Sequence, residues 1–253
     1  MMIIETYGVG ERLRIAARLS QRLSLTKHLV LLPVPTTKDG KHVLGTDTML
    51  SDTLCNADKN SIIVGYGFPD WFTAMIEERG SCFFDLSSDE EYLCDNAYIT
   101  AVGAIGYILT SVNKSPDDVH FGIVGYGRIG SRLVRMLLFL GARVRVYTSK
   151  VLNCIQLGEC GIDCAMVSDN DGGIYDFSGI DILINTAPKD MSEAVRCAGA
   201  PENMRIIELA SGDNFKDVDG VEKLPGIPEK MFGESAGKTY FSAIERFLNA
   251  TNG

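Results

Sequence analysis

The stretch His120–Arg132 reads HFGIVGYGRIGSR and decides the fold of the carboxyl-terminal half of the chain. An apolar strand enters a turn with the spacing G-x-G-x-x-G, and a helical pattern follows over 128–140. In such a turn the first glycine allows a tight bend, the second lets a pyrophosphate approach the backbone, and the third packs helix against strand. With a further strand at 143–147, the pattern predicts dinucleotide binding by Gly125, Gly127, Arg128, Ile129 and Gly130. The alternative is a glycine-rich turn that binds nothing.

The end of that next strand indicates which dinucleotide is bound. NAD sites usually place Asp or Glu there, to hold the ribose 2′-hydroxyl. This chain has Thr148, Ser149 and Lys150 instead, and no acidic residue occurs between Gly130 and Gly158. Hydroxyls and a cation suit a 2′-phosphate, so we predict NADP rather than NAD. The alternative is a solvated basic face made by Arg132, Arg135, Arg143, Arg145 and Lys150.

Later strands end in small or polar residues that are expected at the same crevice. Ligands of open α/β sheets bind beyond the carboxyl ends of the strands. The strand at 181–185 leads into Asn185, Thr186 and Pro188, and the strand at 204–209 leads into Ala210 and Ser211. We predict that these residues bind the cofactor, the alternative being ordinary turns between strand and helix.

Strand and helix patterns alternate along the whole chain, which is typical of parallel sheets with crossover helices. We therefore predict an α/β fold of two domains: a Rossmann doubly wound parallel sheet and a smaller flavodoxin-like α/β domain, linked by two long helices. The predicted boundaries are 1–95 plus the carboxyl-terminal helix 233–253 for the smaller domain, and 96–232, including linker helix 96–112, for the Rossmann domain.

Composition and charge exclude several classes of protein. The chain has 253 residues, of which 45% are hydrophobic and 23% charged, so it is globular rather than disordered. The net charge of −9 is opposite to that expected for binding nucleic acid or an anionic membrane. No targeting or membrane-spanning stretch is evident. The seven cysteines form no metal-site pattern, and we expect reduced thiols in a cytoplasmic protein.

The histidine inventory limits the chemistry. The chain has only His28, His42 and His120, and none follows the glycine turn. Dehydrogenases that use a histidine acid/base from the late part of the cofactor domain are therefore excluded. No catalytic acid or base is assigned.

Taken together, the motifs resemble the family of the A subunit of dipicolinate synthase, the enzyme of spore-forming bacteria that makes pyridine-2,6-dicarboxylate. The matching stretches run in order over most of the chain: LPVPTTKDG (32–40), NAYITAVGAI (96–105), GIVGYGRIGSRL (122–133), ILINTAPKDM (182–191), ELASGDNFKDVDG (208–220) and LPGIPEKMFGESAGKTYFSAI (224–244).

The resemblance implies an NADP-dependent oxidoreductase that oxidises a dihydrodipicolinate-type ring during sporulation, together with a flavoprotein-like B subunit. Aromatisation of the ring asks little of a general base, in agreement with the histidine inventory. The substrate would be a small dicarboxylate, and a homodimer is expected for two-domain dehydrogenases. By position in the motifs, the predicted substrate-binding residues are Thr36, Thr37, Lys38, Asn96, Thr100 and Gly226.

Two departures from the family pattern leave other functions open. The amino-terminal part is shorter by about one strand–helix unit, and Ile99 and Val102 stand where the family tends to have Pro and Glu. The alternatives are another NADP-dependent reductase on the same scaffold and a non-catalytic protein that only binds a dinucleotide within a complex.

Overall fold

The computed structural model describes residues 3–23, 27–167, 175–198 and 201–251. The chain divides into two compact units: unit 1 comprises Met1–Ile99 and Pro228–Gly253, and unit 2 comprises Thr100–Ile227. Each unit contains one parallel sheet, which confirms the predicted α/β class. Within the described ranges, no helix is both long enough and apolar enough to span a bilayer.

The described strands are β1 (Ile3–Thr6), β2 (His28–Leu31), β3 (Ser61–Gly65), β4 (Cys82–Asp85), β5 (His120–Val124), β6 (Arg143–Thr148), β7 (Asp163–Met166), β8 (Ile182–Asn185), β9 (Arg205–Glu208) and β10 (Val221–Lys223). The described α-helices are α1 (Glu11–Ser20), α2 (Asp70–Glu78), α3 (Glu90–Ser111), α4 (Arg128–Phe139), α5 (Val151–Glu159), α6 (Ser192–Cys197) and α7 (Ile227–Thr251).

Unit 1 is built on a four-stranded sheet in the order β1-β2-β3-β4. Side chains alternate between its faces, as the strand period requires. Leu29 and Leu31 pack with residues of α1, α3 and α7, whereas Val30 and Leu32 pack with residues of α2. The crossovers through α1 and α2 move in the same direction along the sheet but lie on opposite faces, so they have opposite hand. One of them is therefore an exception to the right-handed rule.

Unit 2 is built on a six-stranded sheet in the order β10-β9-β8-β5-β6-β7, and all its strand pairs are parallel. The chain starts in the middle with β5, runs outward to β7, and returns to the other side with β8. This is the Rossmann order, and its direction reverses between β5 and β8, where a ligand crevice opens.

Two helices extend beyond their predicted bounds. Helix α3 begins at Glu90 rather than near 96, because the Asp89 carboxylate accepts a hydrogen bond from the Tyr92 N–H at 2.9 Å and caps the helix. Helix α7 begins at Ile227 rather than near 233, and the non-helical backbone of Phe232 separates its first turns from the predicted part.

The expectation of seven reduced thiols is wrong at one pair. Cys154 on α5 and Cys164 on β7 form a disulfide, with Cα atoms 5.5 Å apart. Helix α5 packs on β7, the next element in the chain, and this packing brings the two cysteines together. Their sequence separation of 10 residues does not match the Cys-x-x-Cys pattern for which the sequence was searched. The remaining cysteines are free.

Candidate functional site: a dinucleotide crevice in unit 2

The glycine turn between β5 and α4 is held by backbone contacts. Gly125 has a φ of +90°, which favours glycine, and its N–H donates to the Tyr147 carbonyl oxygen at 2.9 Å. A Cβ on Gly130 would lie 2.1 Å from the Gly125 carbonyl oxygen, so only glycine lets α4 approach the turn. A Cβ on Gly127, in contrast, would meet no described atom within 4 Å. The outer side of the turn is thus open at the residue where a pyrophosphate is expected to approach.

The amino terminus of α4 faces this opening. Gly127 is its N-cap residue and supplies no side-chain hydrogen bond. The N–H groups at the start of a helix lack partners within the helix, and the helix dipole makes this end positive. Arg128, Ile129 and Gly130 form that first turn. The turn therefore suits a phosphate, as at other helix amino termini that follow glycine-rich loops.

A cavity of about 280 Å³ lies beside this turn, at the carboxyl ends of β5, β6 and β8. Of the predicted cofactor residues, those that line it are Gly125, Gly127, Thr148, Ser149, Lys150, Thr186 and Pro188. The sequence reasoning missed further lining residues, among them Tyr126, Asn153, Tyr175 and Lys189. Asn153 was detectable in principle, because it lies in the first turn of the helix that follows Lys150.

The corner after β6 presents hydroxyls and a cation. Thr148 is buried, and its Oγ1 accepts hydrogen bonds from the Lys150 N–H at 3.3 Å and from the Asn153 Nδ2 at 3.2 Å. Ser149 and Lys150 are exposed. None of the described residues that line the cavity is acidic. Among the described residues of this corner, Lys150 thus contributes a positive charge and none contributes a carboxylate.

Arg145, in the same basic stretch, is occupied elsewhere. Its Nε donates to Asp163 Oδ2 at 2.6 Å, and its Nη1 lies 3.5 Å from Asp176 Oδ2. The hydrogen bond to Asp163 is the main cause of a raised Arg145 pKa. Arg145 is thus paired with acidic side chains, whereas Lys150 lies at the cavity.

The turn after β8 is fixed to the glycine turn and to β9. The Thr186 hydroxyl lies 2.9 Å from the Val124 carbonyl oxygen and 3.1 Å from that of Gly125. Asn185 is fully buried; its Nδ2 donates to the Ala187 carbonyl at 2.9 Å and to both Glu208 carboxylate oxygens at 3.2 Å. The internal hydrogen bonds of Asn185 and Thr186 therefore hold the turn after β8 in position beside the glycine turn.

Glu208 is a buried carboxylate next to Asn185 that the sequence reasoning did not single out. It ends β9, is 3% exposed, and accepts a hydrogen bond from the Ala210 N–H at 2.7 Å. Burial raises the pKa of its carboxyl, although the hydrogen bonds from Asn185 and Ala210 oppose that shift. Ala210 thus positions Glu208, and neither Ala210 nor the exposed Ser211 lines the cavity. The only signal in the sequence is a lone carboxylate at the end of an apolar strand.

Of the predicted substrate residues, Thr36, Thr37 and Lys38 lie in unit 1, in the loop after β2. Thr36 is fully buried, and its Oγ1 accepts a hydrogen bond from the Tyr66 N–H at 2.7 Å. Thr37 Oγ1 accepts from the Gly40 N–H at 3.0 Å and donates to Asp39 at 3.1 Å. Both hydroxyls thus hold the loop, and Lys38 is the exposed member.

The other predicted substrate residues are divided between the units. Asn96 and Thr100 lie on α3, one turn apart, Asn96 in unit 1 and the buried Thr100 in unit 2. Gly226 lies in unit 2 and has a φ of +69°, which turns the chain into α7. Asn96 therefore belongs to unit 1, and Thr100 and Gly226 belong to unit 2.

Comparison with solved structures identifies the fold. Over 98% of this chain and 97% of the other, it superimposes on the A subunit of dipicolinate synthase from Bacillus halodurans, with a TM-score of 0.78 and 17% sequence identity. The corresponding dipicolinate synthase polypeptide from Bacillus subtilis gives a TM-score of 0.76 at 18% identity, over 99% and 96% of the two chains. This chain shares its fold with the A subunit of dipicolinate synthase.

The same architecture extends to dehydrogenases. D-lactate dehydrogenase from Escherichia coli matches with a TM-score of 0.65 and 11% identity, over 100% of this chain and 97% of that one. No protein-family model matches the sequence, and no curated protein sequence matches it either. The comparisons therefore show a fold that is shared with dehydrogenases, and the predicted resemblance to the dipicolinate synthase family is confirmed at the level of the fold.

Proposed function

We propose that this chain is an NADP-dependent oxidoreductase that, like the A subunit of dipicolinate synthase, converts a dihydrodipicolinate-type ring to pyridine-2,6-dicarboxylate. The observation that carries the proposal is the open glycine turn at the reversal point of the Rossmann sheet, beside a cavity with Lys150 and without a carboxylate in its described lining. The fold likeness over nearly the whole chain supports it.

The residues around the crevice fit a phosphorylated dinucleotide. The α4 amino terminus and the open Gly127 suit the pyrophosphate, and Ser149 with Lys150 suits a 2′-phosphate. When bound, such a cofactor would supply the acceptor for a hydride from the dihydropyridine ring, and the ring would also lose a proton to solvent. Because the product ring is aromatic, little help from a protein base is needed.

The placement of the histidines agrees with a reaction that needs little help from a protein base. His120 starts β5, so it lies at the end of the sheet opposite to the crevice. Burial is the main cause that lowers its pKa. His28 starts β2, and His42 is paired with Asp39 through a contact of 2.6 Å between Nδ1 and Oδ2. Among the described residues, none of the crevice lining is a histidine.

A flavoprotein-like B subunit, a second copy of the chain and a sporulating cell are parts of the same proposal. The B subunit and the sporulation role are suggested by the dipicolinate synthase likeness alone, and dimers are common among two-domain dehydrogenases.

The second candidate is a dinucleotide-binding subunit without catalysis of its own. The absence of a histidine from the described crevice lining favours it, since such a protein needs no acid or base. Another NADP-dependent reductase on the same scaffold would share the crevice but use a different substrate.

Three measurements separate these functions: turnover of the precursor, binding of NADPH, and turnover of other carbonyl substrates. The protein is incubated with NADP⁺ and the dihydrodipicolinate-type precursor, alone and with a B subunit, and both NADPH and pyridine-2,6-dicarboxylate are followed by absorbance. Equal formation of both products supports the proposal. NADPH binding without turnover, even with the B subunit, supports the non-catalytic role, and turnover of other carbonyl substrates only supports a different reductase.

A further inference from the structure

Unit 1 contains a buried arginine with few hydrogen-bond partners. Arg12 lies in the first turn of α1, and its side chain is 6% exposed. Its Nη1 donates to the Tyr92 hydroxyl at 3.0 Å, whereas its Nε is buried without a hydrogen-bond partner in the described part of the chain. A guanidinium has five N–H donors, and burying a charge is costly unless it is paired and hydrogen-bonded. Arg12 therefore has unused capacity for an acceptor.

The neighbouring carboxylate does not use that capacity. Both oxygens of Glu229 accept hydrogen bonds from the backbone N–H of Arg12, at 3.1 and 3.2 Å. Glu229 thereby caps α1 in place of Gly10, which offers no side chain. The separation between Arg12 Nε and Glu229 Oε2 is 3.7 Å, an ion pair without a hydrogen bond. The fork of the guanidinium is therefore left for another planar acceptor.

A small cavity adjoins this arginine. Its volume is about 60 Å³, and Arg12 and Glu229 share its wall with apolar side chains, including Val9, Val34 and Leu44. Tyr240 also lines the cavity, and its hydroxyl donates to the carbonyl oxygens of Leu32 at 2.8 Å and Val64 at 3.0 Å. A water molecule occupies about 30 Å³ of liquid, so the space fits one carboxylate group.

The cavity lies where a parallel sheet binds its ligands. Val9 follows β1 and Val34 follows β2, so the cavity opens beyond the carboxyl ends of these strands. The chain continues from Val34 into the loop that carries the exposed Lys38.

We propose that this cavity is a carboxylate subsite, in which Arg12 binds a carboxylate group of the substrate through its Nε edge. Arginine is suited to this role because its fixed fork of donors matches a carboxylate bidentately. Glu229 lowers the affinity for the anion, because its charge lies beside the site. The inference rests on the proposed function only in taking the substrate to be a small dicarboxylate.

The test is a calorimetric titration of the full chain with pyridine-2,6-dicarboxylate and with its uncharged diamide. The wild-type protein should bind the dicarboxylate and not the diamide. Arg12→Gln should lower the dicarboxylate affinity at least tenfold, and Glu229→Gln should raise it severalfold. Arg14→Gln, which changes an exposed arginine on the same helix, is the matched control and should leave the affinity unchanged.

The structure of the wild-type protein crystallised with the dicarboxylate provides a readout that does not depend on the folding of a variant. A carboxylate within hydrogen-bond distance of the Arg12 guanidinium supports the inference. Binding elsewhere, no binding at all, or equal affinities of wild type and folded Arg12→Gln would overturn it. Dicarboxylate binding through Arg12 without turnover would contradict the proposed oxidation alone, whereas turnover that is insensitive to Arg12→Gln would contradict the subsite alone.

Discussion

The Cα hydrogen of Gly130 faces the carbonyl oxygen of Gly125, and a Cβ in its place would approach that oxygen to 2.1 Å. The two glycines therefore fix how closely α4 packs on the turn after β5. Gly127, between them in sequence, has open space on its outer side and an extended backbone that any residue adopts. The three glycines of the turn thus serve different purposes, and alanine substitutions should separate them.

We expect Gly130→Ala to destabilise unit 2, because the new methyl group collides with backbone. The cost should be about 3 kcal/mol of unfolding free energy, as for other overpacked sites. Gly127→Ala should leave the unfolding free energy unchanged but weaken NADPH binding roughly tenfold, since its methyl group occupies the place of a phosphate. Urea unfolding and calorimetry measure the two effects. Equal behaviour of the two variants in both experiments would contradict this division.

Lys150 should determine the preference for NADP. Loss of one charge-assisted hydrogen bond to a 2′-phosphate costs about 2 kcal/mol, or roughly thirtyfold in affinity. We therefore expect Lys150→Gln to weaken NADPH binding by that factor and to leave NADH binding unchanged. Lys230→Gln, a lysine in unit 1, is the control. A parallel loss for both cofactors would show that Lys150 does not recognise the 2′-phosphate.

Buried Glu208 should make stability depend on pH. Burial raises the pKa of Glu208 in the folded protein. At a pH between its ordinary pKa of 4.5 and the raised pKa, the folded state therefore holds a proton that the unfolded state has released. Stability should therefore fall as pH rises through the interval between 4.5 and the raised value. In urea unfolding from about pH 4 to about pH 8, Glu208→Gln should lack this loss. Exposed Glu245→Gln is the control, and parallel curves for Glu208→Gln and wild type would refute the assignment.

The Cys154–Cys164 disulfide gives a countable prediction. Thiol titration of the denatured protein should find five groups before reduction and seven after it. Cys164→Ser should lower the unfolding free energy by about 3 kcal/mol, the loop-closure value for a short loop. Cys160→Ser, at an exposed free cysteine between the two, should have no such effect. Seven reactive thiols without reductant would show that the pair is reduced.

The glycine turn was predictable because its strand, turn and helix are contiguous in sequence, and the alternation of strand and helix patterns predicted the parallel sheet. The hydrogen bond between Asn185 and Glu208 could not be predicted, because it joins residues on neighbouring strands that no local sequence pattern connects. The burial of Arg12 could not be predicted for a similar reason. An arginine on a helix is usually exposed to solvent, and Tyr92 and Glu229, which contact Arg12, come from distant segments of the chain. The predicted start of helix α3, at residue 96, was too late because the Asp89 cap was not recognised.

The most direct test of the central claim is calorimetric titration of the wild-type chain with NADPH and with NADH. We predict saturable binding of both, with NADPH the tighter by roughly thirtyfold, the contribution of one charge-assisted hydrogen bond. Absence of any binding heat with NADPH, or tighter binding of NADH, would contradict the account of the crevice in unit 2.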